Sequence, residues 1–223
     1  FNRARDLTRQ LLTFSKGGAP VKSSGKLFPL IKETVEFALS GSNITGSFSV
    51  APNLYSCNFD RNQIAQVFDN LTINAKQAMP LGGSLLVSAE NADIADGTRL
   101  LIKPGSYVKI SVRDTGIGIP QEYLTKIFDP SFTTKQTGSG LGLATSYSII
   151  RQHGGAIEAE SMQGKETVFH IWLPADQGEE ENPARVTAMD HRGSRKIVIL
   201  DDDETVLDLV SRMLVSLGYT VDR

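Results

Sequence analysis

The chain has 223 residues, 40% of them hydrophobic, with a formal net charge of −2. That length buries one full core, and the near-neutral balance excludes a polybasic nucleic-acid or anionic-membrane binder. The single cysteine, Cys57, excludes a disulfide framework and points to a reducing, cytoplasmic setting, and no apolar stretch nears the roughly 20 residues of a membrane helix. The chain also lacks a signal-peptide pattern. It opens on Phe1 and stops at Arg223 just as a strand begins, so it reads as a fragment of a longer protein. Any membrane attachment is then expected to lie in segments upstream.

Apolar residues at Phe1, Ala4, Leu7, Leu11 and Phe14 make one stripe on a helix that Gly17, Gly18 and Pro20 end. Nothing nearby covers the stripe, so a helical-bundle partner is expected over residues 1–20. Leu27 to Leu39 reads as a second helix, with Pro29 tolerated near its start. Ile44–Val50 and Tyr55–Phe59 alternate as strands. Asp60 caps a long helix through Met79, with apolar positions at Ile64, Val67, Phe68, Leu71, Ala75 and Ala78. Strands follow at Ser84–Ala89 and Tyr107–Arg113, a helix at Leu141–Gln152, and strands at Ala156–Ser161 and Thr167–Leu173. Residues 21–175 thus predict an α+β fold, a two-layer α/β sandwich with helices against a mostly antiparallel sheet. Residues 176–195 are charged and aperiodic, a linker.

Three stretches carry chemistry. Asn70 and Asn74 stand four apart, so their amides share one helix face. Left buried without partners they would cost about 1–3 kcal/mol each. A Mg²⁺ ion holding phosphates would satisfy them, and so would a neighbouring strand or solvent. In RDTGIGIP (113–120), a strand end places Asp114 at the sheet rim, with Gly116 and Gly118 allowing positive φ and close backbone approach. A carboxylate there calls for a donor, which an exocyclic amine or an Asx-type turn supplies. In TGSGLGL (137–143), glycines run into a helix start whose N–H groups and dipole suit an anion. IFDPSFTTK (127–135) between them suits a loop packed at its base, with a polar, basic tip.

The set NLTIN, DTGIGIP, IFDPSFTTK and GSGLGL resembles the N, G1, F and G2 boxes of the histidine kinase ATP-binding domain, in order and spacing, over about Leu27 to Pro174. The resemblance implies a Bergerat-type fold shared with gyrase, mismatch-repair and heat-shock chaperone ATPases, with ATP and Mg²⁺ as ligands. By the same resemblance Asn74 ligates Mg²⁺ with Asn70 assisting, and Asp114 bonds the adenine amine in a pocket shaped by Gly116 and Gly118. Gly138, Ser139, Gly140, Leu141 and Gly142 carry the phosphate-binding backbone. Phe128 to Gly138, with Thr134, forms the lid, and Lys135 is the candidate side-chain phosphate contact. Glu166 stands where the family often has glycine, which leaves that turn's geometry open.

RARDLTRQLLTFSK resembles the second helix of the family's dimerisation and phosphoacceptor hairpin, implying a homodimer and a phosphorylated histidine on a helix upstream. His153, His170 and His191 lack the acidic neighbour and helical setting of such an acceptor. His153, at a helix end, suits the dipole as a cationic ring. Residues 196–223 read as a strand, an acidic turn, a helix and a second strand. They resemble the start of a receiver domain in which Asp201 and Asp202 bind Mg²⁺, so a receiver or response regulator is an expected partner and a hybrid kinase the expected whole. The competing readings are an ATP hydrolase of the same superfamily and a non-catalytic nucleotide-binding scaffold. The hydrolase needs an acidic residue where this chain has Asn70, and an amide cannot take that proton.

Overall fold

The computed structural model describes residues 20–135 and 138–176, with positions 196–198, 211, 215 and 219–222. The expected amphipathic N-terminal helix, the stretch 177–195 of the expected linker, His191, Asp201 and Asp202 lie outside the described residues. The chain divides into one unit over Phe1–Gln177 and another over Gly178–Arg223.

The first unit is two layers. Strand β1 (Ser23–Gly25) leads into α1 (Leu27–Leu39), β2 (Ile44–Val50), β3 (Ser56–Phe59) and α2 (Arg61–Ala78). The hairpin β4 (Gly83–Ile94) and β5 (Gly105–Asp114) follows, then a single turn α3 (Gln121–Leu124), α4 (Gly142–Gln152), β6 (Ala156–Met162) and β7 (Glu166–Asp176). The sheet runs β1-β3-β7-β5-β4-β2, with β6 also paired to β7. All pairings are antiparallel except β2 with β4, which is parallel. The two-layer arrangement read from the sequence is the one observed.

The core lies between the helices and one sheet face. Ile31, Ile64, Phe68, Ile110, Ile150 and Ile171 are almost fully buried there. Burying such side chains contributes about 1.5–3 kcal/mol each. Of these, the sequence period picked out Ile64 and Phe68, because a helix turns one stripe inward. Helix α2 begins where expected, with Asp60 Oδ1 accepting the N–H groups of Asn62 and Gln63 at 3.0 and 3.1 Å.

Several strands run longer than the sequence predicted. β4 and β5 pair from Leu85↔Asp114 to Ile94↔Gly105. Their far halves pack a small second cluster around Tyr107, Ala156 and Trp172, and the polar residues there mask the alternation. β7 extends to Asp176, into the expected linker, because Ser56 and Cys57 of β3 pair with Asp176 and Ala175. β1 and α3 escape prediction: three or four residues hold too little of a period to be read. At the Glu166 departure a turn over residues 163–165 with Gly164 at φ 80° makes the reversal, so Glu166 joins the ladder opposite Met162.

In the second unit, β8 (Lys196–Val198) and β9 (Thr220–Asp222) pair in parallel, as expected for a strand-helix-strand opening.

Candidate functional site

Helix α2 forms one wall of a cleft of about 620 Å³. Its buried stripe faces the sheet, which leaves Asn70, Ile73, Asn74 and Gln77 on the edge that lines the cleft. The amides resolve differently from one another. Asn70 Nδ2 donates to the carbonyl of Gly142 at 3.1 Å and to Ser146 Oγ at 3.3 Å, tying α2 to the first turn of α4. Asn74 Oδ1 accepts from Lys135 Nζ at 3.1 Å, and the same ammonium reaches Gln77 Oε1. The pair therefore has protein partners on two different elements.

Asp114, the last residue of β5, is 4% exposed at the cleft floor. Its Oδ1 accepts the N–H of Gly116 at 2.9 Å. Burial raises the carboxyl above the usual carboxylate range; the Gly116 N–H opposes this and nearby Glu166 adds to it. A carboxylate so placed gains from any ligand that brings a donor. Gly118 has φ 69°, and a Cβ there would strike the carbonyl of Met162. Gly116 differs from the expectation of positive φ: its constraint is space, since a Cβ would lie 2.8 Å from both the Ala78 carbonyl and Asp114 Oδ1.

The loop over residues 127–135 folds from its base. Phe128 packs against Tyr147 and Phe169 with ring centroids 5.6 and 6.5 Å away, and Phe132 against Tyr123 at 5.6 Å. Ser131, at φ 67°, donates its N–H to the Gly140 carbonyl at 3.1 Å, and Gly140, also at φ 67°, closes onto Ser131. This joins the base of that loop to the glycine-rich stretch at the start of α4. Gln136 and Thr137 lie outside the described residues.

Of the residues predicted from sequence, Asn70, Asn74, Asp114, Gly118, Thr134, Lys135, Gly138, Ser139, Gly140 and Gly142 line this one cleft. Gly116, Phe128 and Leu141 stand behind its wall: Gly116 against Ala78, Phe128 against aromatic rings, and Leu141 buried at 5% exposure. The sequence reading missed Gln77 and Thr167. Gln77 follows Asn74 by one helical turn, a signal that was available. Thr167 faces Asp114 across the β5–β7 ladder, a register that no local pattern announces.

The donor set suits a Mg²⁺–phosphate group. Among the described residues no three His, Cys, Asp or Glu side chains converge on a metal site. An ammonium already rests on the carboxamide oxygens of Asn74 and Gln77, so a cation is accommodated at this wall. Two neutral oxygens are too few to hold the ion alone, which fits a metal that takes most of its ligands from phosphate and water.

His153 corrects the cationic ring expected at the end of α4. It is 4% exposed, with Nδ1 2.8 Å from the Ile149 carbonyl and Nε2 accepting the N–H of Asp60 at 3.0 Å. An acceptor at Nε2 requires the neutral ring, and burial is the main cause that lowers its pKa. His170 lies in β7 with Nδ1 2.8 Å from Ser111 Oγ, its pKa lowered first by burial and then by Lys109.

The family model described as histidine kinase-, DNA gyrase B- and HSP90-like ATPase matches residues 59–177, more than half the chain. The sensor kinase CckA of Brucella abortus is 36% identical over 99% of this chain and 25% of its own length. Sporulation kinase E of Bacillus subtilis is 32% identical over 80% of this chain and 23% of its own. The chain thus spans about a quarter of the length of these curated relatives. Among solved structures, the nucleotide-free catalytic domain of histidine kinase ThkA aligns with a TM-score of 0.56 and 32% identity, covering 69% of this chain and 95% of that one. Full-length ShkA in complex with AMPPNP, at 21% identity and a TM-score of 0.64 over 97% of this chain and 44% of that one, shares the fold. The chain belongs to the histidine kinase-, DNA gyrase B- and HSP90-like ATPase family, and the relatives named here are kinases.

Proposed function

We propose that residues 21–175 are the catalytic domain of a sensor histidine kinase, binding ATP and transferring its γ-phosphoryl to a histidine outside this chain. The observation that carries the reading is the single cleft joining a buried carboxylate, a glycine-rich helix start and a lid lysine. Asp114 takes the adenine amine, the start of α4 and the glycines before it take phosphate, and Lys135 adds a positive charge from the lid. Asn74, with Asn70 beside it, would hold Mg²⁺, which neutralises charge on the phosphate chain. Transfer of this kind asks the protein chiefly for positioning and charge stabilisation. With its amide N–H groups turned to α4, Asn70 is equipped to join two helices and not to abstract a proton from water, which favours transfer over hydrolysis.

The N-terminal stripe is proposed to dimerise with its counterpart and with the upstream acceptor helix. The parallel β8–β9 pair supports residues 196–223 as the start of a receiver, and with it a hybrid kinase in a cytoplasmic phosphorelay. The deciding experiment joins the chain to its upstream helix and supplies γ-labelled ATP with Mg²⁺. Acid-labile, base-stable label on that helix is the expected result. Steady phosphate release without label would make the domain a hydrolase, and nucleotide binding with neither would make it a scaffold.

A further inference from the structure

Ser161 on β6 makes three contacts through one hydroxyl. Its Oγ accepts the N–H of Ile119 at 2.8 Å, donates to the carbonyl of Glu166 at 2.7 Å, and lies 3.0 Å from Thr167 Oγ1. A serine hydroxyl has one proton. A carbonyl can only accept, so that proton goes to Glu166, and the proton between Ser161 and Thr167 must come from Thr167. Thr167 is 3% exposed, lines the cleft, and faces Asp114 across the ladder, where facing side chains stand about 4.5–5.5 Å apart. With its proton turned back to Ser161, the threonine offers the cleft only lone pairs. Asp114, as a carboxylate, also offers only lone pairs. The floor is therefore two acceptors side by side.

We propose that Ser161 is a positioning residue for base selection: by fixing Thr167 as an acceptor, it makes the floor favour a 6-amino purine and reject a 6-oxo purine. This rests on the adenine-pocket reading above. A 6-amino group brings two donors to two acceptors. A 6-oxo purine can give its ring N1–H to Asp114, but its oxygen then meets the lone pairs of Thr167. Sites whose polar groups are fixed in this way discriminate strongly, because the wrong partner leaves them unpaired. Removing the Ser161 hydroxyl frees Thr167 to rotate and donate to a 6-oxygen.

The test measures binding of ADP and of IDP, each with Mg²⁺, to the full chain and to Ser161→Ala. The wild type is expected to prefer ADP, and Ser161→Ala to narrow that preference roughly tenfold, with IDP held as tightly as before or tighter. A purely structural role for Ser161 weakens both ligands by the same factor, and an unchanged ratio overturns the proposal. Thr167→Val removes the acceptor while keeping the shape, and carries the test if Ser161→Ala does not fold. Its ADP-to-IDP ratio must also fall several-fold, and a ratio equal to wild type overturns the proposal. If the wild type binds neither nucleotide, the adenine-pocket reading fails and this inference with it. If the wild type prefers ADP and both variants keep its ratio, only this inference fails.

Discussion

The Nε2 of His153 accepts the backbone N–H of Asp60 across 3.0 Å, joining the last residue before α2 to the first residue after α4. The Asp60 carboxylate meanwhile caps α2 and accepts the N–H of Val21 at 2.9 Å, so three segments distant in sequence meet at this pair. The two long cleft-lining helices, α2 and α4, are anchored here, at the ends away from their cleft residues. The geometry needs a neutral ring.

Acid should weaken the fold through this ring. The folded pKa of His153 lies below its ordinary value near 6.5, so its contribution is full above about pH 6.5. Below that value the unfolded chain takes up a proton that the fold refuses, and the contribution is lost until pH falls through the folded pKa. His170 acts in the same direction. His153→Ala should cost about 2–4 kcal/mol at pH 7.5, leaving the Asp60 N–H unpaired beside a cavity. Urea melts of the variant from pH 7.5 to 5 should fall less steeply than those of the wild type, with the remaining slope reduced by His170→Ala.

Asp114→Asn should separate binding from stability. Because the folded carboxyl titrates above its unfolded value, ionising it costs stability as pH rises from about 4 through the folded pKa. Asparagine carries no such cost. The variant should equal or exceed the wild type in melting temperature at pH 7, and its advantage should vanish near pH 4. Calorimetry should meanwhile find Mg-ATP affinity reduced roughly tenfold to hundredfold, the loss of a charge-assisted hydrogen bond. Equal affinity in the two proteins would discard the adenine pocket.

On the proposed reading, Lys135 must leave Asn74 and Gln77 to meet phosphate. Lys135→Ala therefore loses a phosphate contact and also a competitor for the α2 wall. Affinity for Mg-ATP should fall by about three- to tenfold, less than an unengaged lysine would forfeit. Adenosine, which has no phosphate, should bind the variant as well as the wild type. A parallel fall for adenosine would place the lysine's role in folding of the lid.

Gly118→Ala combines a left-handed backbone with a clash against the Met162 carbonyl. The strain should cost about 1–3 kcal/mol, and because Gly118 lines the floor near Asp114 it should also weaken nucleotide. Gly41→Ala shares positive φ, but open space surrounds its Cβ position. Thermal melts should rank Gly118→Ala below Gly41→Ala, and only Gly118→Ala should lose ATP affinity.

What the sequence determined alone is local in origin. The helical stripe of α2, the alternation in β2 and β3, the Asp60 cap and the glycine loops all follow from periods and backbone freedoms read within a few residues. The four boxes hold most of the cleft residues, because their spacing survives as motif. Tertiary structure decided the rest. Strand register set Thr167 against Asp114 and lengthened β7, and helix packing turned Asn70 toward Ser146 and left His153 neutral. These outcomes depend on partners remote along the chain, and a side chain's protonation or hydrogen-bond direction is settled only by what folding brings within 3 Å or so of it.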